Sequence, residues 1–393
     1  MESPRPLLLC AVLAGLVVLA AAKPPHIIFI VADDLGWNDV GWHNDKMFTP
    51  NLDKMASRGV ILDSSYVQPV CTPWHLGFCD WKYTPTYRGF DSFMGYYNGA
   101  EDYYTHNVIA ARAEEILDSV DPEKDQLYLY LPFQSVHAPL QVPQQYEDMY
   151  ANISTKSRRT YCGMVSALDE AVGNITSALR DRGFMDNAII NGGPTYTASN
   201  NLPLRGAKTT LWEGGTRGAA FVYSENLLEK TGYTNNEMIH AVDWFPTLLT
   251  LAGGEPDAGM DGVNQWPTVS SGAPSARSEF VYNIDDIDKN AAIRVGQYKL
   301  IEGSPGHYNG WTPLPPLVAS DMVNASFAKH QLFDLQADPT EHHDIASDHP
   351  DVVSKLLDRL SFYKATMVPS NFPLPDPASD PKHFGGNWSP GWC

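Results

Sequence analysis

The chain has 393 residues, of which 43% are hydrophobic and 19% are charged, so its composition excludes an intrinsically disordered protein. Its length allows one large domain or two. The formal net charge of −19 argues against a nucleic-acid partner, because proteins that bind phosphate backbones are normally basic.

The N-terminal residues have the pattern of a secretory signal peptide. Arg5 precedes an apolar run over residues 7–22, and the run ends in three alanines before Lys23. This order predicts a signal peptide over residues 1–22, cleaved after Ala22. A membrane anchor is the less favoured alternative, because the run is short for crossing a bilayer. We therefore expect a lysosomal or secreted chain without a transmembrane anchor.

Sequons and cysteines agree with passage through the secretory pathway. Sequons of the Asn-x-Ser/Thr type predict glycosylation of a secreted chain. They begin at Asn152, Asn174, Asn324 and Asn387. Cysteines are too few for a disulfide scaffold at this length. Beyond the predicted signal peptide they are Cys71, Cys79, Cys162 and Cys393.

Strand and helix patterns alternate over the first two thirds of the chain. An unbroken β-branched and aromatic run over residues 27–31 predicts a strand buried on both faces. Pro50 at the first helical position predicts a helix that ends before Gly59. Further strands are predicted over 60–66, 126–133, 188–190 and 219–223, and further helices over 110–120, 159–182 and 240–252. This alternation predicts a largely parallel α/β sheet.

The character of the chain changes at about residue 278. Short strands are predicted over 280–284, 292–301 and 331–335, followed by a helix over 352–366 and a proline-rich tail. This order predicts a smaller C-terminal α+β unit. We therefore expect a signal peptide over 1–22, a catalytic-type α/β domain over 23–277 and a C-terminal subdomain over 278–393.

Two adjacent carboxylates, Asp33 and Asp34, follow the first predicted strand directly. Ligands of open α/β sheets bind outside the carboxyl ends of the strands. Two acids placed there repel each other unless a cation lies between them, and Ca²⁺ and Mg²⁺ prefer oxygen ligands. The alternative is an Asp pair that caps the following turn or helix.

Other chemically capable side chains fall at predicted strand ends or in the loops beside them. They are Cys71, His75, His137, Asn191, Arg205 and Lys208. Each has an ordinary alternative: a structural histidine, a turn asparagine, a solvated lysine, or a cysteine that is buried or paired with Cys79. Lys208 with Arg205 supplies positive charge for an anion site. Together, a metal, a lysine and two histidines suit an ester of a strong oxyacid, either sulfate or phosphate.

Several longer motifs resemble the sulfatase family over nearly the whole mature chain. Among them are the segment 25–41, Thr49-Pro-Asn-Leu-Asp53, Gln134-Ser-Val-His137 and Leu211-Trp-Glu-Gly-Gly215. The resemblance is greatest to the arylsulfatases. It implies a large α/β domain like that of alkaline phosphatase, with a mostly parallel central sheet, and a smaller C-terminal α+β domain. It also implies hydrolysis of sulfated glycans or aryl sulfates.

The resemblance assigns roles residue by residue. Asp33, Asp34 and Asn191 match calcium ligands. Cys71 matches the cysteine that the formylglycine-generating enzyme oxidises to formylglycine in the endoplasmic reticulum. His75 matches the histidine beside it. His137 and Lys208 match residues that hold the sulfate and assist the leaving group.

The chain departs from the family pattern at two junctions. The family motif Cys-x-Pro-x-Arg appears here as Cys71-Thr-Pro-Trp-His75, without the arginine and fused to a motif that normally lies much further along. At Ile190-Asn191 the family has a longer strand ending in an aspartate ligand, which is absent. We therefore predict missing internal segments and little or no sulfatase activity. A catalytically inactive, glycan-binding relative is the alternative, and a phosphatase or phosphodiesterase is disfavoured.

Overall fold

A computed structural model describes residues 23–68, 77–95, 107–192, 199–311, 327–370, 374 and 376–393, except the side chains of residues 107, 108, 191 and 192. The predicted signal peptide and two predicted site residues, Cys71 and His75, lie outside these residues. No helix within the described ranges is long and apolar enough to cross a membrane.

The larger of two sheets has seven strands in the described part of the chain. They are β1 (His26–Ala32), β2 (Val60–Tyr66), β3 (Tyr128–Phe133), β4 (Ala188–Gly192), β5 (Arg217–Tyr223), β6 (Tyr233–Asn235) and β7 (Ile239–His240). The order is β3-β1-β4-β5-β2-β6, and β7 also pairs with β2. Among these described strands, only β5 runs antiparallel to its neighbours. The predicted α/β fold with a mostly parallel central sheet is therefore confirmed.

Helices cover this sheet and complete its core. They are α1 (Pro50–Arg58), α2 (Asn107–Ser119), α3 (Gln144–Asp148), α4 (Lys156–Asp181), α5 (Glu213–Thr216), α6 (Trp244–Leu251) and α7 (Trp266–Ser271). The longest, α4, buries a continuous apolar face that includes Met164, Val165 and Ile175. These residues share one cluster with Ile28 and Ile30 of β1. This packing fixes the position of the carboxyl end of β1 against α4.

The smaller sheet is antiparallel and comes from the C-terminal part of the chain. Its strands are β8 (Glu279–Asp285), β9 (Asn290–Val295), β10 (Tyr298–Glu302) and β11 (His330–Asp334), in the order β11-β10-β9-β8. Helix α8 (Pro350–Thr366) packs on it through Leu356 and Leu360. This is the expected α+β arrangement, while the domain boundary at residues 277/278 stays a prediction.

The run over residues 292–301, predicted as one strand, forms two. Gly296 has a φ of 58°, a left-handed conformation that favours glycine, and the chain reverses there between β9 and β10. The alternative pairing of Cys71 with Cys79 is also wrong. Cys79 forms a disulfide with Cys393, whereas Cys162 is a buried free thiol in α4.

Candidate active site

The carboxylate pair lies at the carboxyl end of β1, where β3 runs beside it. Asp33 and Asp34 are 1% and 0% exposed. The Asp33 amide donates to Phe133 O at 3.0 Å, and the Val136 amide donates to Asp33 O at 2.7 Å. The backbone of the segment that follows β3 is therefore fixed to the aspartate that follows β1, as the strand-end argument predicted.

Lys208 reaches this pair from a distant loop. Its ammonium donates to Asp34 Oδ1 at 2.8 Å and lies 3.7 Å from Asp33 Oδ1. The lysine is buried. The interpretation of Lys208 as a solvated loop lysine is therefore wrong, because its charge is used to compensate two buried carboxylates.

His137 is the fourth predicted residue that lies here. Its Nε2 is 3.6 Å from Asp34 Oδ2, and its Nδ1 is 2.7 Å from Ala138 O. The structure thus brings together Asp33, Asp34, His137 and Lys208, and their chemical roles stay predictions. Cys71 and His75 lie outside the described residues.

Arg205, which the sequence grouped with Lys208 as a source of positive charge, is used elsewhere. Its guanidinium lies over the rings of Trp212 and Trp311, 3.6 and 4.4 Å from their centroids. It donates to Glu341 O at 2.9 Å and to the side chain of Asn309. Arg205 therefore joins its loop to the C-terminal part of the chain.

The strand register places Asn191 some distance before the carboxylate pair. In the parallel pairing of β1 with β4, Asn191 is opposite Phe29, four positions before Asp33. At the rise of a β-strand this offset is roughly 13 Å. The Asn191 side chain is outside what the structure describes, so its assignment as a calcium ligand stays a prediction.

The loop that carries Lys208 is anchored by a buried polar network. The Glu213 carboxylate accepts hydrogen bonds from Tyr66 at 2.7 Å, Tyr282 at 2.8 Å and Lys299 at 3.0 Å. Lys299 also lies 2.7 Å from Glu341 Oε1, and Glu341 Oε2 accepts from the Glu213 amide at 2.7 Å. Residues of both sheets therefore hold this loop in place through their contacts with Glu213.

The two glutamates respond oppositely to this burial. Burial alone raises the pKa of Glu213, but the ammonium of Lys299 and the guanidinium of Arg217 outweigh it and lower that pKa below its usual range. Burial raises the pKa of Glu341, and Lys299 offsets the effect only in part. Glu213 thus stays charged, and Glu341 accepts a proton more readily.

The residues present fit a divalent cation in kind. Asp33 and Asp34 offer carboxylate oxygens, the ligands that calcium prefers. Among the described residues, two carboxylates against one ammonium leave a net negative charge in a buried place, which favours a further cation. Yet within the described ranges no group of three or more His, Cys, Asp or Glu side chains could hold a metal. The described ligands are therefore suitable but incomplete.

A mostly parallel sheet with a buried carboxylate pair, a lysine and a histidine at its carboxyl edge is consistent with a hydrolase fold of the alkaline-phosphatase type. A family model described as Sulfatase matches residues 25–74 and 70–254. The chain therefore belongs to the sulfatase family, whose members are sulfuric ester hydrolases.

Relatives extend the likeness along the chain. Arylsulfatase J of Mus musculus is 36% identical over 486 aligned positions, which cover 94% of this chain and 81% of that protein. Arylsulfatase A of Homo sapiens is 24% identical, with 93% of this chain and 92% of that protein covered.

Solved structures confirm the fold. Ps i-CgsB in complex with k-i-k-neocarrahexaose has a TM-score of 0.74 at 23% identity, covering 87% of this chain and 93% of that one. The phosphonate monoester hydrolase of Agrobacterium radiobacter has a TM-score of 0.59 at 16% identity, covering 87% and 96%. At these identities the likeness concerns the fold alone.

Proposed function

We propose that the chain is a sulfuric ester hydrolase of the arylsulfatase B type, the N-acetylgalactosamine-4-sulfatases, with an impaired active site. Its substrates are sulfated glycans or aryl sulfates. The buried cluster of Asp33, Asp34 and Lys208 beside His137 carries the proposal. Its carboxylates suit a cation, and its lysine and histidine suit a sulfate ester.

Each side chain of the cluster has a separate role in this proposal. Asp33 and Asp34 would hold the calcium ion, which would supply positive charge to a sulfate oxygen, and Asn191 is the further ligand that the family resemblance assigns. Lys208 adds a second positive charge from the same buried position and orients the sulfate. His137, whose side chain is 27% exposed, donates a proton to the departing alcohol oxygen.

The reactive group belongs to Cys71 by family resemblance. The formylglycine-generating enzyme of the endoplasmic reticulum is the partner that converts such a cysteine, and His75 lies beside it in the sequence motif. Conversion here is opposed by the missing arginine of that motif, since position 75 holds histidine.

Three observations support the impairment. The family model matches in two pieces that meet at residues 70–74, where the two motifs are fused. The alignment with arylsulfatase J spans 486 positions, more than this whole chain of 393, so that relative carries segments without a counterpart here. The third is the register of β4, which places Asn191 opposite Phe29, four positions before Asp33, so that the ligand assigned by the resemblance is offset from the carboxylate pair.

A catalytically inactive, glycan-binding sulfatase relative is the second candidate. The same missing segments favour it, because they interrupt the reactive motif and the ligand set while Lys208 stays 2.8 Å from Asp34 in the site. Such a protein would bind sulfated glycans without turning them over.

The chain passes through the secretory pathway and is lysosomal or secreted. The sequon asparagines Asn152, Asn174 and Asn387 are exposed, so glycans can attach there without disturbing the core. The disulfide between Cys79 and Cys393 suits an oxidising compartment.

Sulfate release by the purified full-length chain, made in cells that also express the formylglycine-generating enzyme, tests the function. The substrates are an aryl sulfate and N-acetylgalactosamine 4-sulfate, with the Lys208→Met variant as baseline and an intact arylsulfatase as positive control. We expect no release above the baseline. Release above it contradicts the impairment, and phosphate release from matched phosphate esters without sulfate release contradicts the sulfatase type. Binding of the sulfated sugar without turnover supports the second candidate.

A further inference from the structure

We propose that Tyr161 is a positioning residue that fixes the backbone of Asp34, so that the carboxylates of Asp33 and Asp34 bind one divalent cation together. The inference rests on the calcium site of the proposed function. It assigns a role to a residue of α4 whose described hydrogen bonds go to the backbone of the turn and to neither carboxylate.

One hydroxyl group carries the contact. Tyr161 is 0% exposed. Its hydroxyl donates to Asp34 O at 2.8 Å and accepts from the Gly36 amide at 3.1 Å. The hydroxyl of Tyr161 therefore bonds to both sides of the turn that follows β1, to Asp34 as a donor and to Gly36 as an acceptor.

The turn is what makes the two carboxylates converge. Consecutive side chains of an extended strand point to opposite faces, so adjacent aspartates in a regular strand could not reach one point. Asp34 instead has a φ of 69°, the left-handed region that disfavours residues other than glycine. As a result both carboxylates approach the ammonium of Lys208. The contact from Tyr161 to Asp34 O holds the backbone in this conformation.

The tyrosine is itself held in place. Arg158, one turn earlier on α4, lies 5.2 Å from the centroid of its ring and pairs with the buried carboxylate of Asp39. Asp39 also accepts from the Asn200 amide at 2.7 Å, and a Cβ on Gly36 would lie 2.3 Å from Asp39 Oδ2. The turn is therefore closely packed against Asp39, which also pairs with the arginine that lies over the tyrosine ring.

Calcium titration of the full-length chain by isothermal calorimetry tests the role. Tyr161→Phe keeps the ring and removes the hydroxyl. Tyr150→Phe is the matched control, because its buried hydroxyl also has two contacts, to Ser166 Oγ and the Phe48 amide, away from the turn. We expect Tyr161→Phe to weaken calcium binding roughly tenfold, the effect of losing one buried hydrogen bond, and Tyr150→Phe to leave it unchanged. Equal affinities in the two variants overturn the role.

Hydrogen exchange of the Gly36 amide in calcium-free protein gives an independent measurement. We expect faster exchange in Tyr161→Phe than in the wild-type chain, and no change in Tyr150→Phe. If the wild-type chain binds no calcium, the calcium site of the proposed function is overturned. Hydrogen exchange of the Gly36 amide then tests the role of Tyr161 by itself. Unchanged exchange overturns the positioning role, whereas faster exchange supports it.

Discussion

Lys208 Nζ and Asp34 Oδ1 lie 2.8 Å apart although the two residues are separated by 174 positions in the sequence. Both side chains are buried. A buried ion pair of this kind is costly to break from one side, because the remaining charge loses its compensation. The pair therefore connects the stability of the fold to the chemistry of the site.

Lys208→Met should lower the free energy of unfolding of calcium-free protein by about 3 kcal/mol, since it removes the ammonium that compensates Asp33 and Asp34. Calcium should then raise the melting temperature more in this variant than in the wild-type chain, because the ion replaces the lost positive charge. Lys54→Met, at an exposed position, is the control and should change stability little. Chemical denaturation with and without calcium measures both effects. Equal losses of unfolding free energy in Lys208→Met and Lys54→Met would show that the pair of Lys208 with Asp34 contributes nothing to stability.

Lys299→Met should be among the most destabilising single changes in the C-terminal sheet. Lys299 is fully buried between Glu213 and Glu341, and removing it leaves two buried carboxylates facing each other. We expect a loss of about 3–5 kcal/mol in urea unfolding. Lys382→Met, whose partner Asp380 is exposed, is the control and should change stability little.

The loss in Lys299→Met should also depend on pH. Burial raises the pKa of Glu341, so the folded state binds this proton more tightly than the unfolded state and gains stability as the pH falls. Protonation of Glu341 relieves the repulsion that the variant creates, so the loss should be smaller at pH 5 than at pH 8. A loss of the same size at both values contradicts this account of the network.

His240 should make the protein less stable in acid. Burial and the guanidinium of Arg277 lower its pKa from 6.5 to about 4. Its contribution is complete above pH 6.5 and is lost as the pH falls towards 4, because only the unfolded state then gains the proton. His240→Gln should flatten the stability profile across this window by up to roughly 3 kcal/mol. Urea unfolding at half-unit pH steps measures the free energy of unfolding across this window. Parallel profiles of stability against pH for the variant and the wild-type chain would refute the role of His240.

The sequence predicts the first half of the fold well because its patterns are local. The bounds of β2 are those of the predicted strand, and α4 begins at Lys156 where the pattern placed residue 159. Runs of β-branched residues, proline at a helix start and glycine at its end are all visible along the chain. The strand β6 was missed because its three residues are too few for a pattern to repeat.

The site was predictable in its residues and not in its geometry. Strand ends identify Asp33, Asp34 and His137, but the burial of Lys208 depends on how a distant loop returns to the sheet. Tyr161 reads in the sequence as an ordinary core residue of a long helix, because nothing local shows a contact across 127 positions. Arg205 shows the converse, since its proximity to Lys208 in sequence led to a wrong grouping.

The mass of the proteolytic peptide that contains Cys71 is the most direct test of the central claim, a sulfatase-family chain whose reactive motif is interrupted. The chain should be expressed together with the formylglycine-generating enzyme, beside an intact arylsulfatase as positive control. We predict an unmodified cysteine at position 71 and conversion in the control. Conversion of the cysteine CH2SH group to an aldehyde lowers the mass of the peptide. This decrease in the Cys71 peptide would contradict the claim and restore the chain as a candidate active sulfatase.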